Sequence, residues 1–145
     1  PIADLIADPN GPAAFNYSVE FCGGTHLKNS SHIEKFIILS EEAIAKGIRR
    51  IIVLTGVEAL KADKRADILE KNVKELVDKI KNEINTNKTN INLLTLNREI
   101  FLLNEQINQS HISYWRKDKF RQELEQLKKS LVELEKASKA QLLSL

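Results

Sequence analysis

Leu69-Glu70-Lys71-Asn72-Val73-Lys74-Glu75-Leu76-Val77-Asp78-Lys79-Ile80 decides the fold, because Leu69, Val73, Leu76 and Ile80 recur at alternating steps of four and three. That rhythm is the apolar seam of a helix packed on other helices, and with Ile84 one place late it predicts a helix from about Val57 to Ile84. Towards the C-terminus the same rhythm returns twice. A second seam is Leu93, Leu96, Ile100, Leu103 and Ile107; a third is Phe120, Leu124, Leu127, Leu131 and Leu134, lapsing at Ser138 and Gln141 before Leu142. The polar run Asn85–Asn90 and the segment Ser110–Arg116 separate the three, and connectors this short bring consecutive helices back antiparallel. Tyr114 and Trp115 are expected to cap the helical layers or pack on the region that precedes them.

Towards the N-terminus the grammar changes near Gly56. Residues 1–56 hold all five glycines, all three prolines and the single cysteine, and residues 57–145 contain no residue that stops a helix outright. Tyr17, Val19 and Phe21 alternate with polar residues and predict a strand, as do the β-branched runs Lys35–Ser40 and Ile48–Leu54. Glu41–Gly47 between them is expected to be a turn or a short helix, and Pro1–Asn16, with Pro9, Gly11 and Pro12, to be loop-rich. The fold class is therefore α+β: a small strand-bearing head over 1–56, followed by a long antiparallel helical hairpin or coiled coil over 57–145.

A length of 145 residues with 42% apolar and 29% charged residues excludes a large multi-domain enzyme and a chain disordered by composition. The few aromatics, 6%, argue against a loop-dense all-β sandwich. No run approaches the roughly 18 apolar residues of a membrane span. Net charge is +2, divided as five Lys and Arg against six Asp and Glu in the head and 17 against 14 in the helical part, so bulk charge does not announce nucleic acid or membrane. One cysteine cannot form an internal disulfide, which points to a reducing cytoplasmic compartment. The chain starts at Pro1 and has no methionine, so it reads as an internal piece of a longer product.

The chemistry sits in Cys22-Gly23-Gly24-Thr25-His26. A thiol and an imidazole four residues apart across two glycines, directly after an expected strand, can converge on one cation, with the glycines allowing backbone angles that a Cβ forbids. That is half of a zinc site. The same residues also read as a buried thiol beside a loop histidine, or as a nucleophilic Cys-His pair, although no oxyanion-binding group is legible. Thr25 suits a hydrogen bond within the turn, and His32 a loop position.

Val19-Glu20-Phe21-Cys22-Gly23-Gly24-Thr25-His26-Leu27, then Phe36-Ile37-Ile38, Ser40 to Ile51 and Thr55-Gly56, together resemble the end of the editing domain of the alanyl-tRNA synthetase family. Trp115, Lys117-Asp118, Leu127-Lys128-Lys129 and Ala137 to Ala140 resemble the helical linker of its eukaryotic cytosolic members. The resemblance implies a zinc site built from an upstream His-x-x-x-His pair and the Cys-x-x-x-His pair matched by Cys22 and His26. No two of His26, His32 and His111 have the first spacing. It further implies a cytoplasmic parent that joins alanine to its tRNA with ATP, in a module not contained here, and hydrolyses mischarged seryl- or glycyl-tRNA. Such clearance is needed because an alanine pocket cannot exclude glycine and discriminates weakly against one added hydroxyl. Zinc would either acidify a bound water or orient the tRNA terminus. One departure follows the motif: Ile33-Glu34 stands where the family usually has a small residue and glycine.

Arg49 and Arg50, on opposite faces of an expected strand, are candidate tRNA-phosphate contacts, with ion pairs to Glu41 or Glu42 as the structural alternative. Six basic residues between Arg116 and Lys129 form a mildly basic stretch, either a solvated face or one that grazes tRNA. Two other readings compete: a free-standing editing deacylase, and a coiled-coil interaction module that self-associates through its helices without catalysis.

Overall fold

The computed structural model describes residues 2–86 and 92–143. They form two units, the first ending at Ser30 and the second beginning at Ser31.

In the first unit, α1 (Ile2–Ala7) and α2 (Pro12–Asn16) are short helices where a loop was expected. Gly11 and Pro12 start α2 in the usual way: proline's missing N–H is one that a first helical turn leaves unpaired anyway, and its fixed φ already suits the helix. A Cβ on Gly11 would lie 2.3 Å from Asp8 Oδ2, so glycine fits the close approach at this junction. Tyr17–Phe21 is not a strand. Tyr17, Val19 and Phe21 are all exposed, and the sheet of the described residues has only two strands, neither of them this segment. Alternation supplies a strand's pattern, but a strand also needs a neighbour to take its N–H and C=O groups.

The second unit opens through a 3-10 turn, Ser30–Ile33, and then Glu34 at φ 55. This is the position where the resembled family usually carries glycine, and the left-handed backbone costs a residue with a side chain about 1 kcal/mol. β1 (Phe36–Ala45) and β2 (Ile48–Thr55) pair antiparallel, with Ile37 opposite Leu54 and Glu42 opposite Arg50. The polar stretch from Glu41 to Ala45 is strand, contrary to expectation. Pairing with β2 overrides the helical preference of Glu-Glu-Ala, and the turn shrinks to Lys46-Gly47, with Gly47 at φ 78.

α3 (Gly56–Thr86) follows without a loop, and Gly56 N–H donates to the Lys35 carbonyl at 3.0 Å. Buried Ala59 and Ala62 let the hairpin base approach closely, so that Ile37, with Leu39 and Leu54 beside it, packs on the start of α3. α4 (Leu93–Gln109) is capped by Asn92, whose side chain accepts from Thr95 N–H at 3.1 Å. α5 spans Tyr114–Leu143. The three seams fill one core, led by Leu69, Val73, Ile80, Leu96, Ile107, Phe120, Leu124 and Leu131.

Contacts set the helix directions. Lys79 meets Glu99 and Arg65 meets the His111 carbonyl, which makes α4 antiparallel to α3. Lys117 and Arg121 both bond Asn108, which returns α5 along α4. The polar connector read at Asn85–Asn90 lies largely outside the described residues. At the other turn Ile112 and Ser113 are buried, whereas Tyr114 and Trp115 are 47% and 66% exposed; the capping expected of the two aromatics falls to Ile112 and Phe120.

Candidate metal centre and the charge network of the bundle

Cys22 and His26 lie in an irregular stretch of the first unit, and both are exposed. The Cys22 thiol is free, and Gly24 N–H donates to its Sγ at 3.4 Å. A cysteine binds metal through its sulfur as thiolate. Gly23 and Gly24 do not have the left-handed angles expected of them; those occur at Gly47 and Gly56. A Cβ at Gly23 would meet nothing within 4 Å, so this loop does not need glycine for space. Among the described residues no third His, Cys, Asp or Glu joins the pair in a metal-sized cluster. A cysteine sulfur and an imidazole suit zinc by donor type, and they would supply two of the three or four ligands that zinc takes from protein. His32 is exposed on the 3-10 turn.

Arg49 and Arg50 both have carboxylate partners. Arg49 Nε bonds Glu41 Oε1, which holds the Glu41 carboxyl below its ordinary range, and Arg50 lies 4.0 Å from Glu42. The hairpin therefore carries these four charges as cross-strand pairs.

Ion pairs of the bundle gather on Arg116, whose side chain is 9% exposed. Its guanidinium meets Asp63 at 3.2 Å, Asp67 at 2.8 Å and Glu70 at 2.8 Å. Lys35 at 2.9 Å shares Asp63, Lys119 at 3.1 Å shares Glu70, and the guanidinium also lies 5.8 Å from the Phe120 ring centroid. Burial works against the Arg116 charge, but the hydrogen bonds and charges of Asp67 and Glu70 outweigh it and raise its pKa. The sequence carries a signal for this network that composition conceals: Asp63, Asp67 and Glu70 are spaced i, i+4, i+7, one stripe of α3, and Arg116 is the first cation of the basic stretch.

Asp63 and Glu70 have lowered pKa values, first through hydrogen bonds from Lys35 and Lys119 respectively, with Arg116 adding to both. A carboxylate that is more acidic folded than unfolded stabilises the fold above the ordinary carboxylate range, and that stability is lost as pH falls through the lowered folded values. The urea midpoint is expected to drop on acidification from neutrality towards pH 3, and Asp63→Asn with Glu70→Gln is expected to flatten that slope. An equal slope in the double variant would remove the network from the account.

Residues 8–52 match the family described as the Threonyl and Alanyl tRNA synthetase second additional domain. The chain is 45% identical over 140 residues to the cytoplasmic alanine–tRNA ligase of Bombyx mori, covering 97% of this chain and 14% of that protein. Against the cytoplasmic alanine–tRNA ligase of Drosophila melanogaster the identity is 46% over 140 residues, with the same coverage. The mitochondrial alanine–tRNA ligase of Saccharomyces cerevisiae is 49% identical over 67 residues, 46% of this chain and 7% of that protein. No solved structure matches the chain. It spans 14% of the length of the insect relatives. Similarity over nearly its whole length to proteins of one name relates this chain to a section of the alanine–tRNA ligases, with residues 8–52 matching the second additional domain.

Proposed function

We propose that residues 1–56 complete the editing domain of an alanine–tRNA ligase, supplying Cys22 and His26 as half of its zinc site, and that residues 57–145 are a helical linker. The single observation that carries this reading is the exposed Cys22–His26 pair, its sulfur accepting the Gly24 N–H, within the matched domain. When bound, zinc supplies Lewis-acid chemistry for an ester bond or a fixed point for the tRNA terminus. Cys22 as thiolate and neutral His26 are its ligands and move no proton. The remaining donors come from elsewhere in the longer protein. The parent uses ATP to join alanine to its tRNA, clears seryl- and glycyl-tRNA, and works in the cytoplasm, the compartment in the names of the insect relatives. No described helix is long and apolar enough to cross a membrane.

The linker reading draws on the three seams, which are buried against one another within the chain and so are already partnered. The interaction-module alternative would need such a seam facing outward. Metal analysis of the longer protein tests the zinc assignment: the wild type is expected to carry zinc in the editing domain, and Cys22→Ala with His26→Ala to lose it. Full zinc retention by the double variant would overturn it.

A further inference from the structure

α3 sorts its charges by face. Asp63, Asp67 and Glu70 turn towards α5 and are engaged by Arg116, with Lys119 also on Glu70. Lys61, Lys64, Arg65 and Lys71 fall on an outward stripe of the same helix, all exposed. At 1.5 Å rise per residue this stripe is about 15 Å long. Its local counter-charges are weak holds: Glu58 on Lys61 at 2.8 Å and Glu75 on Lys71 at 3.7 Å, both exposed pairs within one helix. Lys64 makes no ion pair among the described residues, and Arg65 gives one N–H to the His111 carbonyl at 3.1 Å, keeping its other donors. Four cations against the flanking Glu58 and Glu75 leave the strip net basic, and the neighbouring acids Asp63, Asp67 and Glu70 are each engaged by Arg116, Asp67 with its side chain still 67% exposed.

We propose that Lys61, Lys64, Arg65 and Lys71 form a contact surface for the phosphate backbone of transfer RNA. The inference rests on the tRNA reading above and goes beyond it by giving the helical unit its own RNA contact, built from residues other than Cys22 and His26. Charge complementarity chooses the occupant: cations repeated along one side of a straight helix match the repeated charge of an RNA strand. Phosphate contact needs only placed cations and no base-reading group. Ile68, exposed in the middle of the stripe, makes an acidic protein segment the rival occupant.

The test is fluorescence anisotropy of the whole 145-residue chain with a labelled transfer RNA over a range of potassium chloride concentrations. Lys61→Gln, Lys64→Gln and Lys71→Gln together are expected to weaken binding about tenfold at low salt and to reduce the slope of log affinity on log salt by about two to three. Lys129→Gln, Lys136→Gln and Lys139→Gln remove equal charge from α5 and are expected to leave binding near wild type. Circular dichroism confirms that both triples stay folded, and the single reversal Lys64→Glu, at an unpaired exposed site, is expected to weaken binding as well. Equal loss in the two triples would overturn the strip while keeping RNA as a partner of this section. No RNA binding by the wild-type chain would overturn both the strip and the tRNA reading for this section. Binding of polyglutamate in preference to RNA would overturn the proposal in favour of a protein partner.

Discussion

Phe120→Ala is expected to destabilise the helical unit by about 3–5 kcal/mol, the usual cost of removing a fully enclosed aromatic ring. Phe120 is 0% exposed and belongs to a cluster fed by all three helices, so no single helix can move in to fill the cavity without disturbing two others. The ring also lies 5.8 Å from the Arg116 guanidinium, and truncation removes that cation–π contact, worth about 0.5–1 kcal/mol or more, from an arginine that already carries the charge network. Against a total of about 5–15 kcal/mol for an ordinary domain, this loss is a large part of the whole. Leu76→Ala and Leu127→Ala, each at residues 8% exposed, are expected at the lower end of the leucine range, about 2–3 kcal/mol. Lys128→Ala and Lys129→Ala should change stability little, since exposed charges contribute little. Chemical denaturation orders the series, and an unchanged midpoint in Phe120→Ala would mean that the three helices do not share one core.

The seams were legible because one apolar residue per turn leaves a pattern that survives any surface chemistry, and each residue read into them from Leu69 to Leu134 is buried or packed on the core. The first unit was less legible. Gly11-Pro12 is a helix-start signal, but in a segment rich in Pro and Gly it reads as loop. Tyr17–Phe21 carries strand alternation without a strand partner, and Glu41–Ala45 carries helix formers inside a hairpin; in both, pairing decided what local preference could not. In the sequence Arg116 is one member of a mildly basic stretch, because linear counting does not show that Asp63, Asp67 and Glu70 share the stripe it faces. The proposed metal pair rests on residue types and spacing alone. Two donors within one short motif can be read from a sequence, but any ligand supplied from elsewhere in a longer protein would leave no mark on these 145 residues.

Cys22→Ala in the longer ligase bears most directly on the central claim that Cys22 and His26 are zinc ligands of an editing domain. Losing a group that touches the metal should cost more than the ten- to hundredfold typical of groups that only orient ligands, so hydrolysis of seryl-tRNA is expected to fall by about a hundredfold or more. On the proposed reading alanylation belongs to a different module, and its rate is expected to stay near wild type in the same preparation. Both rates are measured on that one preparation, with zinc content alongside. Selective loss of deacylation together with zinc is the predicted result. Unchanged deacylation, or equal loss of the two activities, would contradict it.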